Sequence, residues 1–97
     1  MFRHIVLLSW VEDATEAQKA AVEAGLKQLP GAIPELRRYE IGPDAGINHG
    51  NHDFAVVADF DSEEDYLVYR DHPTHQAVIA DAIKPILAGR AAVQYRL

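Results

Sequence analysis

The side chains best suited to chemistry lie close together in the segment Tyr66-Leu-Val-Tyr69-Arg-Asp-His72-Pro-Thr-His75. An imidazole near its unperturbed pKa can gain or lose a proton at neutral pH. A tyrosine hydroxyl can donate a hydrogen bond to an oxygen that gains negative charge. The segment is therefore either a site of proton transfer or a sharp corner between two helices whose polar groups satisfy one another.

Each of these side chains also has a purely structural interpretation. His72 precedes a proline, which favours a corner residue bonded to the backbone over a catalyst. His75 suits a site and a structural cap equally, because Thr74 could cap the helix without it. Tyr69 and His4 are both compatible with burial in the core with their polar atoms satisfied. The residue types alone leave both interpretations open.

The composition is that of a small globular protein. The 97 residues are 48% hydrophobic and 25% charged, values typical of one domain, here residues 1–97, with a modest core. A domain of this size buries a smaller fraction of its surface than a larger one, so self-association would stabilise it. The net charge of −6 disfavours nucleic acid as a partner, because no basic stripe is present.

The sequence lacks the features of several other classes of protein and binding site. Cysteine is absent, which excludes disulfides, thiolate nucleophiles and thiolate metal ligands. The apolar run from Ile5 to Leu8 is too short for a secretory signal or a membrane span. We therefore expect a cytoplasmic protein with no membrane partner. No glycine-rich phosphate cradle follows a strand, so we expect no nucleotide, and no cofactor of another kind is indicated.

Two pairs of histidines have the spacing of metal ligands. The pair His49 and His52 lies in a glycine-rich stretch, and the pair His72 and His75 is interrupted by proline. Neither gives a regular helical ligand pair, and no acidic residue completes either by spacing. We therefore expect no metal.

The periodicity of the apolar residues predicts the elements that position these side chains. Strands are expected at Phe2–Trp10 and at residues 35–41, 52–60 and 90–96. Helices are expected at residues 16–29, 62–70 and 73–85, and a loop at residues 42–51. Thr15 and Gln18 form a capping box for the first helix, which Pro30-Gly31 should end.

This order, β-α-β-β-α-α-β, most simply gives a four-stranded antiparallel sheet with helices on one face, a ferredoxin-like α+β fold. Both faces of the strands carry aliphatic side chains, so one face would be bare in a single chain. The outward residues would come from Ile5, Leu7, Ala55, Val57 and one face of the last strand. An apolar surface of this kind marks an interface, and we expect a twofold-symmetric homodimer packed sheet to sheet.

Five segments spread over the chain carry a resemblance to a known family. They are Arg3-His4-Ile-Val-Leu-Leu, Asp13-Ala-Thr15-Glu-Ala-Gln18, Leu29-Pro-Gly-Ala-Ile-Pro34-Glu-Leu, Asp53-Phe-Ala-Val-Val-Ala-Asp-Phe60-Asp-Ser-Glu-Glu64 and Tyr69-Arg-Asp-His72-Pro-Thr-His75-Gln-Ala-Val. With them the chain resembles the stress-responsive α/β barrel, or Dabb, domain family. The Tyr-x-x-His-Pro-x-His element is the most specific part.

The resemblance implies a ferredoxin-like protomer and a dimer whose two sheets form a closed α/β barrel. The family includes olivetolic acid cyclase, a plant polyketide cyclase that closes a ring by an aldol-type reaction without a cofactor. Its tyrosine and histidine map onto Tyr69 and His75, and its strand-one histidine maps onto His4. By this resemblance His75 would remove a proton from carbon, and Tyr69 would hydrogen-bond the carbonyl oxygen.

The sequence departs from the cyclase where an acyl tail would lie. Leu26 and Phe54 stand where the cyclase has aromatic or polar residues, and Ile79 stands where it has glycine. A branched side chain at that position would fill space that a long tail needs.

We therefore predict that the ligand is a small, mostly apolar carbonyl compound in a pocket between sheet and helices, with Tyr69, His75 and His4 at its polar end. The apolar lining is expected from Val6, Leu8, Leu26, Phe54, Val56, Val78 and Ile79. One alternative is a non-enzymatic oligomer that confers stability in stress, with the Tyr–His element bracing the helix corner. A further alternative is cyclase-like aldol ring closure.

Overall fold

The structure is a computed structural model that describes the chain from Met1 to Leu97. Its strands are β1 (Phe2–Trp10), β2 (Arg38–Pro43), β3 (Phe54–Phe60) and β4 (Leu87–Arg96). Its helices are α1 (Glu16–Lys27), α2 (Leu29–Ala32), α3 (Glu63–Asp71) and α4 (Pro73–Val78). After α4 the chain continues as a π-helical turn, Ile79–Ile83, and a 3-10 turn, Lys84–Ile86.

The four strands form one sheet in the order β2-β3-β1-β4, and every neighbouring pair is antiparallel. The central strand β1 pairs with β3 on one side and β4 on the other, so that Leu8 lies opposite both Phe54 and Arg90. This is the ferredoxin-like α+β arrangement expected from the sequence, and it is confirmed. The register decides which side chains of β4 share a face with His4.

The two faces of the sheet differ as the alternation in β1 predicts. Phe2, His4, Val6 and Leu8 are buried, while the residues between them are half-buried. On the outer face Val93 lies opposite Ile5 and keeps 52% of its surface exposed. The helices therefore cover only the inner face, and an apolar outer face is left without cover in the single chain.

The outer face also holds a forked ion pair. Nε and Nη2 of Arg3 donate to Oδ1 and Oδ2 of Asp59 at 2.7 and 2.8 Å. Asp59 is buried, and this bond holds the pKa of its carboxyl below the usual value. The buried carboxylate is therefore compensated within the sheet.

Helix α1 begins as the sequence predicts. The Thr15 hydroxyl accepts from the backbone N–H of Gln18, and Oε1 of Gln18 accepts from the backbone N–H of Thr15. Val22 and Leu26, one turn apart, are buried. A Cβ at Gly25 would lie 3.1 Å from Cγ1 of Val78, so glycine allows α1 and α4 to approach closely.

Several element boundaries differ from the predictions, each for a local reason. Pro30 does not end the helical region, because it occupies the first turn of α2, where its missing N–H costs nothing. Strand β2 begins at Arg38 rather than at residue 35, since the Leu36 N–H bonds the Ile33 carbonyl in a turn. Strand β4 begins earlier than residue 90, because Trp10 pairs with Leu87 across a bulge.

The third predicted helix, residues 73–85, is three consecutive pieces rather than one α-helix. Only Pro73–Val78 is α-helical, and the π-helical turn that follows changes the direction of the side chains after Val78. The predicted start of β3 at residue 52 is two residues early, although the Asp53 N–H still bonds the Leu8 carbonyl. None of the helices combines the length and apolar character that crossing a bilayer requires.

Candidate functional site

A cavity of about 340 Å³ lies between the inner face of the sheet and the helices. Strands β1 and β3, helix α1 and the segment after α4 supply its apolar wall: Val6, Leu8, Val56, Leu26, Ile79, Ile83 and Leu87. Its polar side chains are His4, Tyr66, Tyr69, Arg70, His75, Gln76, Lys84 and Arg90. The volume is near the lower end of the range for small-molecule sites, about 300–1,000 Å³, so the cavity suits a small, largely apolar ligand.

His4 reaches the cavity from the middle of β1 and is held neutral. Burial lowers its pKa from 6.5 to about 4, and the positive charge of Arg90 adds to this effect. Nε2 of Gln94, on the neighbouring strand β4, donates to Nδ1 of His4 at 2.8 Å. The proton of the neutral ring is therefore on Nε2, which makes that nitrogen a hydrogen-bond donor.

His75 has the opposite tautomer. Its Nδ1 lies 3.0 Å from the backbone carbonyl oxygen of Arg70 and must carry the proton, because a carbonyl can only accept. Burial lowers the pKa of His75, although this hydrogen bond acts in the other direction. The neutral ring therefore keeps an unprotonated Nε2, which can accept a proton.

Tyr69 lies in the last turns of α3 and is buried, with 1% of its surface exposed. Burial raises its pKa to about 12, so the phenol stays protonated at neutral pH and can donate a hydrogen bond. Its ring stacks on that of His75 with centroids 4.2 Å apart, and His4 lies at its edge at 6.0 Å. The three predicted catalytic side chains are therefore neighbours.

Tyr39 lies behind Tyr69, with ring centroids 6.4 Å apart. Its hydroxyl is the buried side-chain polar atom that has no hydrogen-bond partner. Burial raises the pKa of Tyr39 above its usual value, and the neighbouring hydroxyl of Tyr69 adds to this effect, so this phenol also stays protonated. A buried hydroxyl without a hydrogen bond destabilises the folded protein, and this hydroxyl belongs to a side chain that packs on a residue of the cavity.

Together these side chains provide two kinds of group to one cavity. Tyr69 and His4 offer hydrogen-bond donors, and His75 offers an unprotonated nitrogen. Donors of this kind stabilise an oxygen that gains negative charge, and a neutral imidazole can take a proton from a neighbouring carbon. The arrangement is therefore suited to acid–base chemistry next to a carbonyl.

The structure brings most of the predicted pocket residues together. His4, Val6, Leu8, Leu26, Val56, Tyr69, His75 and Ile79 all line the cavity. Phe54 and Val78 do not line it. Phe54 is buried at the far end of β3, where it packs on Trp10, and Val78 lies against Gly25 of α1. Ile79 borders the cavity without closing it.

His72 has the structural role expected from its position before proline. Its Nδ1 accepts from the backbone N–H of Thr74 at 3.1 Å and so caps α4. The other pair of histidines, His49 and His52, is not part of a metal-binding cluster. Nδ1 of His52 forms a hydrogen bond of 2.7 Å with the hydroxyl of Ser9. The structure contains no group of three or more His, Cys, Asp or Glu side chains placed to hold a metal ion.

The sequence did not identify the cations and the second tyrosine of the cavity. Tyr66 and Arg70 were within reach of sequence reasoning, because they lie one turn from Tyr69 or from each other on α3. Lys84 and Arg90 were not, because the position of Lys84 depends on the π-helical turn before it and that of Arg90 on its pairing with Leu8 across the sheet.

The fold agrees with what comparison with known proteins gives. The model of the family described as the stress responsive A/B barrel domain matches residues 2–97. The chain therefore belongs to the stress responsive A/B barrel (Dabb) domain family. No curated protein matches the sequence significantly.

Similar solved structures have the same fold. A dimeric ferredoxin-like protein of unknown function from Thermobifida fusca is 49% identical, with a TM-score of 0.91 over 99% of this chain and 90% of that one. A dimeric protein of unknown function from Bacteroides fragilis is 27% identical, with a TM-score of 0.84 over 99% and 95%. A hydroxynitrile lyase from Passiflora edulis is 21% identical, with a TM-score of 0.84 over 99% and 92%, which is a likeness of fold alone.

Proposed function

We propose that the protein binds a small, mostly apolar carbonyl compound in the cavity between sheet and helices, and that Tyr69, His75 and His4 can perform acid–base chemistry on it. The proposal rests on one observation: the three side chains around one cavity differ in whether they donate or accept a hydrogen bond. Two of them, Tyr69 and His4, are held as donors, and His75 is held as an acceptor.

In this proposal the carbonyl oxygen accepts hydrogen bonds from the Tyr69 hydroxyl and from Nε2–H of His4. Nε2 of His75 then takes a proton from the carbon next to the carbonyl, and the negative charge that develops on oxygen is stabilised by the two donors. The lowered pKa of His75 keeps it unprotonated at neutral pH, and the raised pKa of Tyr69 keeps its proton in place. No cofactor takes part in this step.

We propose that the working unit is a homodimer packed through the outer face of the sheet. Both the Thermobifida fusca and the Bacteroides fragilis proteins are described as dimeric. The exposed apolar side chains on β4, with Ile5 and Leu7 on β1, form a shallow apolar depression on this face. Covering such a surface gains hydrophobic free energy that a single chain of this size needs.

The alternative is a non-enzymatic oligomer that confers stability, in which Tyr69 and His75 only brace the corner between α3 and α4. The stack of the two rings and the bond from His75 to the Arg70 carbonyl support it. Cyclase-like ring closure is a further alternative. It is less favoured, because Ile79 narrows the cavity that a long acyl chain would occupy.

Proton abstraction can be tested with 4-phenyl-2-butanone, a neutral ketone with an apolar body. In deuterated buffer at neutral pH, NMR should detect protein-dependent exchange of the protons next to its carbonyl. His75→Gln should abolish exchange while binding persists, and Tyr69→Phe should weaken binding about 2- to 10-fold, the equivalent of one hydrogen bond. His49→Gln, a change in the exposed loop, is the matched control. Absence of any binding would contradict the proposal, and binding without exchange would leave only a binding protein.

A further inference from the structure

Two of the lysine and arginine side chains in this chain have no carboxylate partner, and both line the cavity. The chain has 9 lysines and arginines and 15 acidic residues. Seven of the cations have a carboxylate within 4.0 Å: Arg3, Lys19, Lys27, Arg37, Arg38, Arg70 and Arg96. Lys84 and Arg90 have none, and both line the cavity.

The positions of these two cations follow from elements already described. Arg90 lies opposite Leu8 in the β1–β4 ladder, so its side chain is on the inner face of the sheet, as the cavity is. Lys84 begins the 3-10 turn directly after Ile83, which is buried in the cavity wall. Arg70 borders the same space from α3, with Asp71 as its partner.

The cavity is also free of negative charge. No aspartate or glutamate lines it, in a protein whose net charge is −6. The positive charge of Arg90 reaches its polar end, where it acts to lower the pKa of both His4 and Tyr66, while Asp71, which does not line the cavity, acts on Tyr66 in the opposite direction. A cleft with low-dielectric walls and one sign of charge concentrates ligands of the opposite sign.

We propose that the ligand of this cavity is a carboxylate with an apolar body, whose anionic end is bound by Arg90 and Lys84 at the mouth. This inference rests on the proposed function in one respect: the carbonyl of the same molecule lies at Tyr69, His4 and His75. The ligand class is thus an oxo acid. Arginine suits this role, because its guanidinium can make two parallel hydrogen bonds to one carboxylate.

The test uses two probes of the same shape that differ in charge, 4-oxo-4-phenylbutanoate and its neutral amide, 4-oxo-4-phenylbutanamide. Their dissociation constants are measured by protein-observed NMR titration in low salt. The carboxylate should bind about tenfold more tightly than the amide, the effect of hydrogen bonds to a charged group. Raising the salt to about 0.5 M should reduce that preference, because exposed charges are screened.

The variants Arg90→Gln and Lys84→Gln should each weaken binding of the carboxylate more than binding of the amide, and so reduce the preference for the carboxylate. Lys27→Gln, which removes an exposed cation on α1 paired with Glu23, is the matched control and should change neither affinity. Equal binding of the two probes would overturn the inference. Displacement of the carboxylate by inorganic phosphate at a similar concentration would also overturn it, since the site would then recognise anions of any kind.

The two proposals fail in different ways. If the amide binds and Tyr69→Phe weakens it, but carboxylate and amide bind alike, the carbonyl site stands and the carboxylate site falls. If the carboxylate preference depends on Arg90 and Lys84, but Tyr69→Phe does not weaken binding of either probe and His75→Gln does not reduce proton exchange next to the ketone, the anion site stands and the proposed chemistry falls.

Discussion

The ring of His75 stacks on the ring of Tyr69 with centroids 4.2 Å apart and an interplanar angle of 30°. The contact joins the last turns of α3 to the first turn of α4 across the capped corner at His72. Stacking fixes the plane of the imidazole, and the bond from its Nδ1 to the Arg70 carbonyl fixes its rotation. An acid–base role and a bracing role make different predictions about this contact.

We expect Tyr69→Phe to change the free energy of unfolding by less than about 0.5 kcal/mol while it weakens ligand binding. The substitution keeps the ring on His75 and removes only the hydroxyl. A hydroxyl that braced the corner would leave unsatisfied partners, and its removal would cost about 1–3 kcal/mol. Urea unfolding of wild type and variant measures the difference.

Tyr39→Phe should stabilise the protein by about 1 kcal/mol, because it removes the buried hydroxyl that has no hydrogen-bond partner. The same chemical change at Tyr69 should not stabilise to this extent, which makes the two variants a matched pair. Thermal and urea unfolding measure both. A loss of stability on Tyr39→Phe would mean that the hydroxyl is hydrogen-bonded after all.

Stability should fall as the pH is lowered from 6.5 to 4. The folded protein holds the pKa of His4 at about 4, while the unfolded chain has the usual 6.5, so in this window only the unfolded state binds the proton. The full effect is about 3 kcal/mol, present above pH 6.5 and lost at pH 4. The lowered pKa of His75 acts in the same direction.

This pH dependence can be assigned with variants. In His4→Gln the slope of the free energy of unfolding between pH 6.5 and 4 should become smaller. His49→Gln, in the exposed loop, should keep the wild-type slope. An unchanged slope in His4→Gln would mean that other groups are responsible for the loss of stability in acid.

Val93→Lys should convert the homodimer to a monomer, because it places a charge in the apolar outer face of the sheet. Val68→Lys is the matched control, since Val68 lies on α3 and is 45% exposed, compared with 52% for Val93. Sedimentation at micromolar concentration measures the mass of each. A wild-type protein that sediments as a monomer would contradict the proposed dimer.

Ile79→Ala should enlarge the cavity and so admit ligands with a longer alkyl chain. Ile79 is only partly buried, so the loss of stability should be near the lower end of the usual range for this change, about 2 kcal/mol. The ratio of the dissociation constants of a short and a long methyl ketone measures the effect. The side chain of Val78 lies outside the cavity. If Val78→Ala improved binding of the long ketone equally, the improvement would result from looser packing and not from a larger cavity.

The sequence predicts those parts of the fold that depend on local pattern. The alternation in β1 identifies the inner face that carries His4, the Thr15–Gln18 box places the start of α1, and the proline after His72 marks a corner. Each of these follows from periodicity or from hydrogen bonds within a few residues. Such features do not depend on how distant elements pack.

The sequence predicts the site less completely. How deeply a side chain is buried and which residues pair between strands depend on the whole fold. Phe54 has the inward orientation expected of a pocket residue, yet its position at the end of β3 takes it to Trp10 instead. Lys84 follows the π-helical turn, and Arg90 lies opposite Leu8 in the pairing of β4 with β1. The π-helical turn has no clear signature in the sequence, and the strand pairing joins residues far apart in the chain.

The hydrogen bond from Gln94 to His4 joins side chains 90 residues apart. It determines which nitrogen of His4 holds the hydrogen, and it exists only when β4 has docked beside β1. A ribosome-bound chain that lacks β4 would therefore carry this imidazole without its partner. Assembly of the sheet and acquisition of the correct tautomer of His4 therefore both require β4, which follows the other three strands in the chain.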